Sequence, residues 1–170
     1  MDDQHIRDVF ARSYPRLVTQ LTALSGSRSM AEDLVQEAFM TALAKAGDFE
    51  QVANKEAWLR TVALNRLRRQ WRRDSFMQRL LPRLARSASP DDASLPADHV
   101  AVVAAVRQLS PQAREVIVLH YIADRTVADM AAELEVPEGT IKARLARARS
   151  ALGPLLDERD RPLGKEPDHV

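Results

Sequence analysis

The sequence predicts an all-α protein of two small helical domains joined by a flexible linker, and three observations predict it. Apolar residues recur at i, i+3, i+4 and i+7 through most of the chain, the period of one helical face. The 170 residues are rich in Ala, Leu, Arg and Val with only 5% aromatics, a composition that favours helices over sheets. A stretch dense in Ser, Pro and Asp, ASPDDASLPAD at 88–98, interrupts the periodicity with the composition of a linker. The resulting division is 1–75, a linker over 76–98, a second domain over 99–153, and a polar tail over 154–170.

In the first domain, Asp2 and Asp3 suit the positive end of a helix. Ile6, Val9, Phe10, Leu17, Val18, Leu21 and Leu24 give that helix its apolar face. Pro15 predicts two helices or a kink near Tyr14, and Gly26 predicts a stop. Ser29-x-x-Glu32 has the form of a capping box. It would open a helix striped by Leu34, Val35, Ala38, Phe39, Ala42 and Leu43, with Asp33, Gln36 and Glu37 on other faces. Gly47 ends it. The segment 47–54 (GDFEQVAN) reads as a loop whose Asn54 caps the next helix. That helix contains Lys55 to about Arg73, with Trp58, Leu59, Val62, Ala63 and Leu67 buried. It carries six arginines between Arg60 and Arg73, a density beyond solubilisation for which phosphate binding is the natural reason.

In the second domain, Val100, Val102, Val103 and Val106 begin a helix ending at Leu109. Ser110 is an N-cap followed by proline at the first helical position. The helix from Pro111 to about Ile122 offers Ala113, Val116, Ile117, Leu119 and Tyr121 for packing. Thr126 to Leu152 then reads as a helix-turn-helix. Its first helix runs from about Thr126 to Leu134, Glu135 and Val136 make the turn, and Pro137 opens the second. The second helix turns Ile141, Leu145, Ala148 and Leu152 inward and Lys142, Arg144, Arg147 and Arg149 largely outward. A short amphipathic helix, a tight turn and a basic helix is the layout that sets a recognition helix in a DNA major groove. From Pro154 onward the chain is polar and proline-broken, and is expected to fray.

Charge distribution supports contact with a polyanion at two places. The net charge is only +1, yet residues 51–90 carry +8 and residues 137–153 carry +3, each within acidic surroundings. The chain has no cysteine, so disulfides and thiolate zinc sites are excluded. No signal peptide or membrane span is visible, which fits a cytoplasmic protein. The histidines, His5, His99, His120 and His169, are far apart, and there is no glycine-rich phosphate loop and no nucleophile elbow. No catalytic residue, cofactor or metal site is expected.

Four stretches in this order resemble the extracytoplasmic-function class of RNA polymerase sigma factors of the sigma-70 type. AEDLVQEAF (Ala31 to Phe39) is similar to the part of region 2 that binds core polymerase. WLRTVALNRLRRQWRR (Trp58 to Arg73) is similar to the helix that recognises the −10 promoter element. LSPQAREVIVLHYI (Leu109 to Ile122) resembles the opening of region 4, and VPEGTIKARLARAR (Val136 to Arg149) its recognition helix for the −35 element. The resemblance implies a region 2 helical bundle and a region 4 helix-turn-helix. It implies partners as well: the clamp of the largest polymerase subunit, the flap of the second largest, promoter DNA and an anti-sigma factor, with no direct membrane insertion.

Residue by residue, the resemblance places Asp33, Leu34, Gln36 and Glu37 against core polymerase. It places Phe49, Asn54, Asn65, Arg66, Arg69, Arg72 and Arg73 at the −10 element, where an unstacked base needs a pocket. It places Glu138, Thr140, Lys142, Ala143, Arg144 and Arg147 at the −35 element, where Arg and Lys can bond guanine or phosphate. The chain departs from the family pattern at Glu135, where glycine is usual, at Ala143, where serine is common, and at Arg69, where aspartate is often found. The alternative reading is a stand-alone helix-turn-helix regulator, against which stands the lack of any receiver-like alternation of strands.

Overall fold

The computed structural model describes residues 3–80 and 104–160, with side chains over 6–77 and 104–155. The helices are α1 (Asp3–Ser25), α2 (Arg28–Ala44), α3 (Ala46–Gln51), α4 (Lys55–Leu80), α5 (Pro111–Tyr121), α6 (Val127–Leu134) and α7 (Glu138–Asp160). Residues 104–108 are also helical, and no strand occurs among the described residues. The linker from residue 81, Val100, Val102, Val103 and the last ten residues lie outside them.

In the first lobe α1 packs on α2 and α4, and α2 on α4. Leu17, Val18, Leu21 and Leu24 of α1 meet Ala31, Val35, Ala38 and Phe39 of α2 and Leu59, Ala63, Leu64 and Leu67 of α4 in one buried cluster. That cluster explains why Pro15 does not split α1 in two. The proline removes one backbone bond, but both halves of the helix remain tied to the same cluster, Leu17 onward by burial and Ile6, Val9 and Tyr14 by packing against it. Gly26 ends α1 with φ +75°, its N–H donating to the Thr22 carbonyl at 2.8 Å. The cap of α2 is Ser27, not Ser29. Ser27 is extended (φ −140°) and its hydroxyl accepts from the Met30 N–H, whereas Ser29 already lies inside the helix.

Two further expectations change. The stretch expected as a loop after Gly47 contains the short helix α3, closed around Phe49, which is fully buried. Asn54 does cap α4, accepting from the Ala57 N–H at 2.9 Å. The helix then continues to Leu80, beyond the expected end near Arg73. Likewise α7 runs through Pro154 to Asp160 rather than fraying there; Leu152 and Leu155, on either side of the proline, both pack against the core.

The second lobe is built by α5, α6 and α7 around Val116, Val118, Leu119, Met130, Ile141, Leu145 and Ala148. Ser110 caps α5 with Pro111 in its first turn. Thr126 caps α6 in a reciprocal capping box with Asp129. The turn between α6 and α7 is made by Glu135 in the left-handed region, φ 54° and ψ 44°, which brings the Val136 N–H to the Ala131 carbonyl at 3.0 Å. A side chain with a Cβ is strained there. Glu135→Gly should therefore raise unfolding stability by up to about 1 kcal/mol, the relief of strain exceeding the added entropy of the unfolded chain. Urea denaturation of both proteins measures it, and a loss of stability would contradict the account.

Candidate polymerase- and DNA-binding surfaces

On α2 the helical period separates the two kinds of residue at the expected polymerase surface. Asp33, Gln36 and Glu37 are exposed, whereas Leu34 is only 6% exposed and belongs to the core. Leu34 is thus corrected from a contact residue to a packing residue: it shares a face with Ala31, Val35 and Ala38. The exposed acids lie beside α4. Arg66 donates to Glu37 Oε2 at 2.6 Å and to Thr41 Oγ1 at 2.9 Å. A groove of about 780 Å³ between the two helices is lined by Asp33 and Glu37 on one wall and Arg66, Arg69 and Arg73 on the other.

Along α4, Asn65, Arg69, Arg72 and Arg73 are exposed. They form an open basic face, with the Asn65 side-chain oxygen accepting from Arg68 at 3.1 Å. Phe49 does not join it. Its ring packs 5.1 Å from that of Trp58 and is 0% exposed, so it holds α3 against α4 and offers no stacking surface to a base. Asn54 is exposed beside it at the start of α4.

In the helix-turn-helix, Glu138, Lys142, Ala143 and Arg147 are exposed and Thr140 is half-buried. Lys142 and Glu138 approach to 3.9 Å one turn apart, both exposed to water, a pairing of little energetic weight. Inward-facing Ile141, Leu145 and Ala148 are buried as the apolar period requires. Asp129 in the capping box has its carboxyl held below the usual range, chiefly by the hydrogen bond with the Thr126 side chain. Arg149, further along α7, donates to the Tyr121 hydroxyl at 2.7 Å and lies over its ring. Arg144 is half-buried and lines a cleft of about 690 Å³ between the lobes, together with Trp71, Arg72 and Glu115.

The residues that join the lobes were not singled out by sequence. Arg60 is 2% exposed, not outward among its fellow arginines. It donates to Gln20 of α1 at 2.8 Å, to Glu56 at 3.0 Å and to both carboxylate oxygens of Glu133 of α6 at 2.9 and 3.1 Å. A signal for this was present: Arg60 shares a helical face with Ala63, Leu64 and Leu67, and Gln20 lies in phase with Leu17 and Leu24. Arg68 meets Glu115 at 2.7 Å. Arg114 of α5 donates to the Leu24 carbonyl at the end of α1 at 2.8 Å and sits over the Trp71 ring.

A pair of helical lobes, the first with an arginine-rich helix and the second with a helix-turn-helix, defines a DNA-binding transcription protein. Residues 9–77 match the family described as Sigma-70 region 2, and residues 99–152 match Sigma-70, region 4. RNA polymerase sigma factor CarQ of Myxococcus xanthus is 30% identical, over 89% of this chain and 88% of its own. ECF RNA polymerase sigma factor EcfG of Rhodopseudomonas palustris is 32% identical, over 89% and 84%. The sigma factor RpoE of Bartonella quintana, in a structure with the anti-sigma factor NepR, superposes with a TM-score of 0.76 at 31% identity, covering 91% of this chain and 98% of that one. CnrH, in complex with the cytosolic domain of CnrY, has the same fold at a TM-score of 0.69 and 24% identity, covering 92% and 90%. The chain belongs to the extracytoplasmic-function sigma factors of the sigma-70 family. As such it confers promoter-specific initiation on core RNA polymerase.

The Glu115 carboxyl is pushed above its ordinary value, because burial outweighs the attraction of Arg68 and Arg144. It is therefore easier to protonate folded than unfolded, and its favourable contribution, full below the unfolded value, is lost as pH rises through the folded one. Relative to Glu115→Gln, the natural chain should lose stability as pH rises from below the ordinary carboxylate range through the raised value. Thermal unfolding of both across that range measures the difference, and a difference that widens in favour of Glu115 with rising pH would refute the assignment.

Proposed function

We propose that the two lobes divide promoter recognition between them, with no chemistry of their own. Asp33, Gln36 and Glu37 meet the clamp of the largest polymerase subunit. Asn54, Asn65, Arg66, Arg69, Arg72 and Arg73 hold the opened −10 strand through base and phosphate contacts. Glu138, Thr140, Lys142, Ala143, Arg144 and Arg147 read the −35 duplex in its major groove. The observation that carries this reading is the pair of exposed basic faces, one on α4 and one on α7, each on a different lobe. Binding energy from polymerase and both elements offsets the cost of opening a few base pairs, and the tether between lobes raises the effective concentration of the second contact. The protein acts in the cytoplasm on chromosomal DNA. An anti-sigma factor holds it inactive, a reading supported by the relative whose structure contains one.

Run-off transcription with bacterial core polymerase on a promoter library tests the proposal. Start sites should appear only with this protein and share two spaced motifs. Arg144→Glu with Arg147→Glu should reduce transcription from those sites by at least about tenfold, since each base contact is worth about 1–3 kcal/mol, while core binding persists. Retention of full promoter activity by the double variant would refute the assignment of α7, and failure of core polymerase to bind the natural chain would refute the whole.

A further inference from the structure

The cleft between the lobes carries more positive charge than its own acids answer. Three arginines line it, Arg68 and Arg72 of α4 and Arg144 of α7, against one carboxylate, Glu115 of α5. Arg68 takes that carboxylate for itself: its Nε and Nη2 both approach Glu115 Oε1, at 2.9 and 2.7 Å. Arg72 and Arg144 have no hydrogen bond or ion pair among the described residues, and Glu115 attracts Arg144 only from a distance. Arg144 is half-buried, so its charge has given up part of its hydration with no bonded counter-charge in return. An anion from outside would restore that interaction.

The rest of the wall decides what kind of anion fits. Trp71 and Phe76 bring ring surface to the cleft, and Leu134 and Val136 add aliphatic surface. Phe76 is 62% exposed, so its ring is available rather than committed to the core. A bare inorganic ion would leave these rings unused and most of the space, about 690 Å³, unfilled. A volume of that size lies within the range of about 300–1,000 Å³ usual for small-molecule sites, whose walls are largely apolar with a few placed polar groups. Rings that stack on a base, set beside guanidinium groups that hold phosphate, are the two halves of nucleotide recognition. Each unpaired guanidinium can take one phosphate in a two-pronged bond, so the pair suits two phosphate groups. Glu115 orients the ligand. Its carboxylate repels phosphate, and its Oε2, which has no hydrogen bond, accepts from an N–H on the base.

We propose that this cleft binds a nucleoside diphosphate, with Arg72 and Arg144 on the phosphates, Trp71 and Phe76 against the base, and Glu115 accepting from the base edge. Arg72 and Arg144 are shared with the proposed promoter contacts. Binding of the nucleotide to the free chain involves no DNA, so it stands or falls independently of those contacts.

The test is calorimetric titration of the full natural chain with GDP and, separately, ADP. Salt is held at about 0.15 M, where exposed charges are screened beyond about 8 Å. One nucleotide should bind per chain. Pyrophosphate, which has the charge without the ring, and guanosine, which has the ring without the charge, should each bind at least about tenfold more weakly. The chain has two tryptophans, so Trp58→Phe leaves Trp71 as the sole tryptophan emitter, and its emission should change as the nucleotide binds. Arg144→Gln and Phe76→Ser should each weaken binding by at least about tenfold, with helicity by circular dichroism unchanged. Arg147→Gln removes a charge from the exposed face of α7 outside the cleft and should leave the affinity within about twofold. Failure of both nucleotides to bind, or binding that leaves Trp71 emission unchanged, overturns the proposal. So does pyrophosphate binding as tightly as the nucleotides, which would report charge alone. Equal losses in Arg147→Gln and Arg144→Gln, or full affinity in both Arg144→Gln and Phe76→Ser, overturn the placement in the cleft.

Discussion

The arrangement of this protein depends on one buried guanidinium. Arg60 presents five fixed N–H donors, and their acceptors come from α1, α4 and α6. The ion pairs extend from it in both directions: Arg16 approaches Glu56 at 3.7 Å on the outer side of the first lobe, and Arg125 approaches Glu133 within the second. Charges alternate along this row, so no member is buried without a counter-charge. Desolvating such a row consumes most of its Coulombic gain, and its contribution is register more than net stability. It places α6, and with it the helix-turn-helix, at one position against α1 and α4. The apolar cluster, being non-directional, would tolerate several positions.

One helix, α4, answers three demands because its 3.6-residue period gives it three faces. Leu59, Ala63, Leu64 and Leu67 close the first lobe's core. Arg60 and Arg68 reach the second lobe at Glu133 and Glu115. Asn65, Arg69, Arg72 and Arg73 face water. The arginines crowded on this helix repel one another, and the structure relieves this by pairing Arg60, Arg66 and Arg68 with acids on other elements. The exposed remainder, Arg69, Arg72 and Arg73, is a compact basic field. Arg66 is held on the side of the helix toward α2: its bonds to Glu37 and Thr41 tie α4 to α2, so the exposed acids of α2 and the exposed basic residues of α4 share a groove.

Much of this was legible beforehand. The amphipathic stripes of α2 (except Leu43, which is half exposed) and α7, the N-caps Asn54 and Ser110, and the stop at Gly26 are local signals, and local geometry satisfied them. The misreadings share a cause. Ser29 satisfied the capping pattern, but the left-handed turn at Gly26 put Ser27 in the capping position. Pro15 and Pro154 suggested breaks, yet packed residues on both sides carry their helices through. Phe49 stood in a polar stretch and suggested a stacking platform; the short helix around it turned the ring onto Trp58. Leu34 stood among polar residues of a binding motif, and its place in the apolar stripe decided against exposure.

By itself the sequence determined the helices, their faces, the division into two lobes and the two basic segments, because these depend on residues within one or two turns of each other. The tertiary structure decided which charges remain available. Arg60 and Glu133 are 73 positions apart, and nothing near either names the other as its partner. Whether a basic side chain stays exposed to solvent or pairs with a neighbouring helix is set by which acid the fold brings within about 3 Å, the reach of a hydrogen bond. That is a property of the packed lobes and of no segment alone.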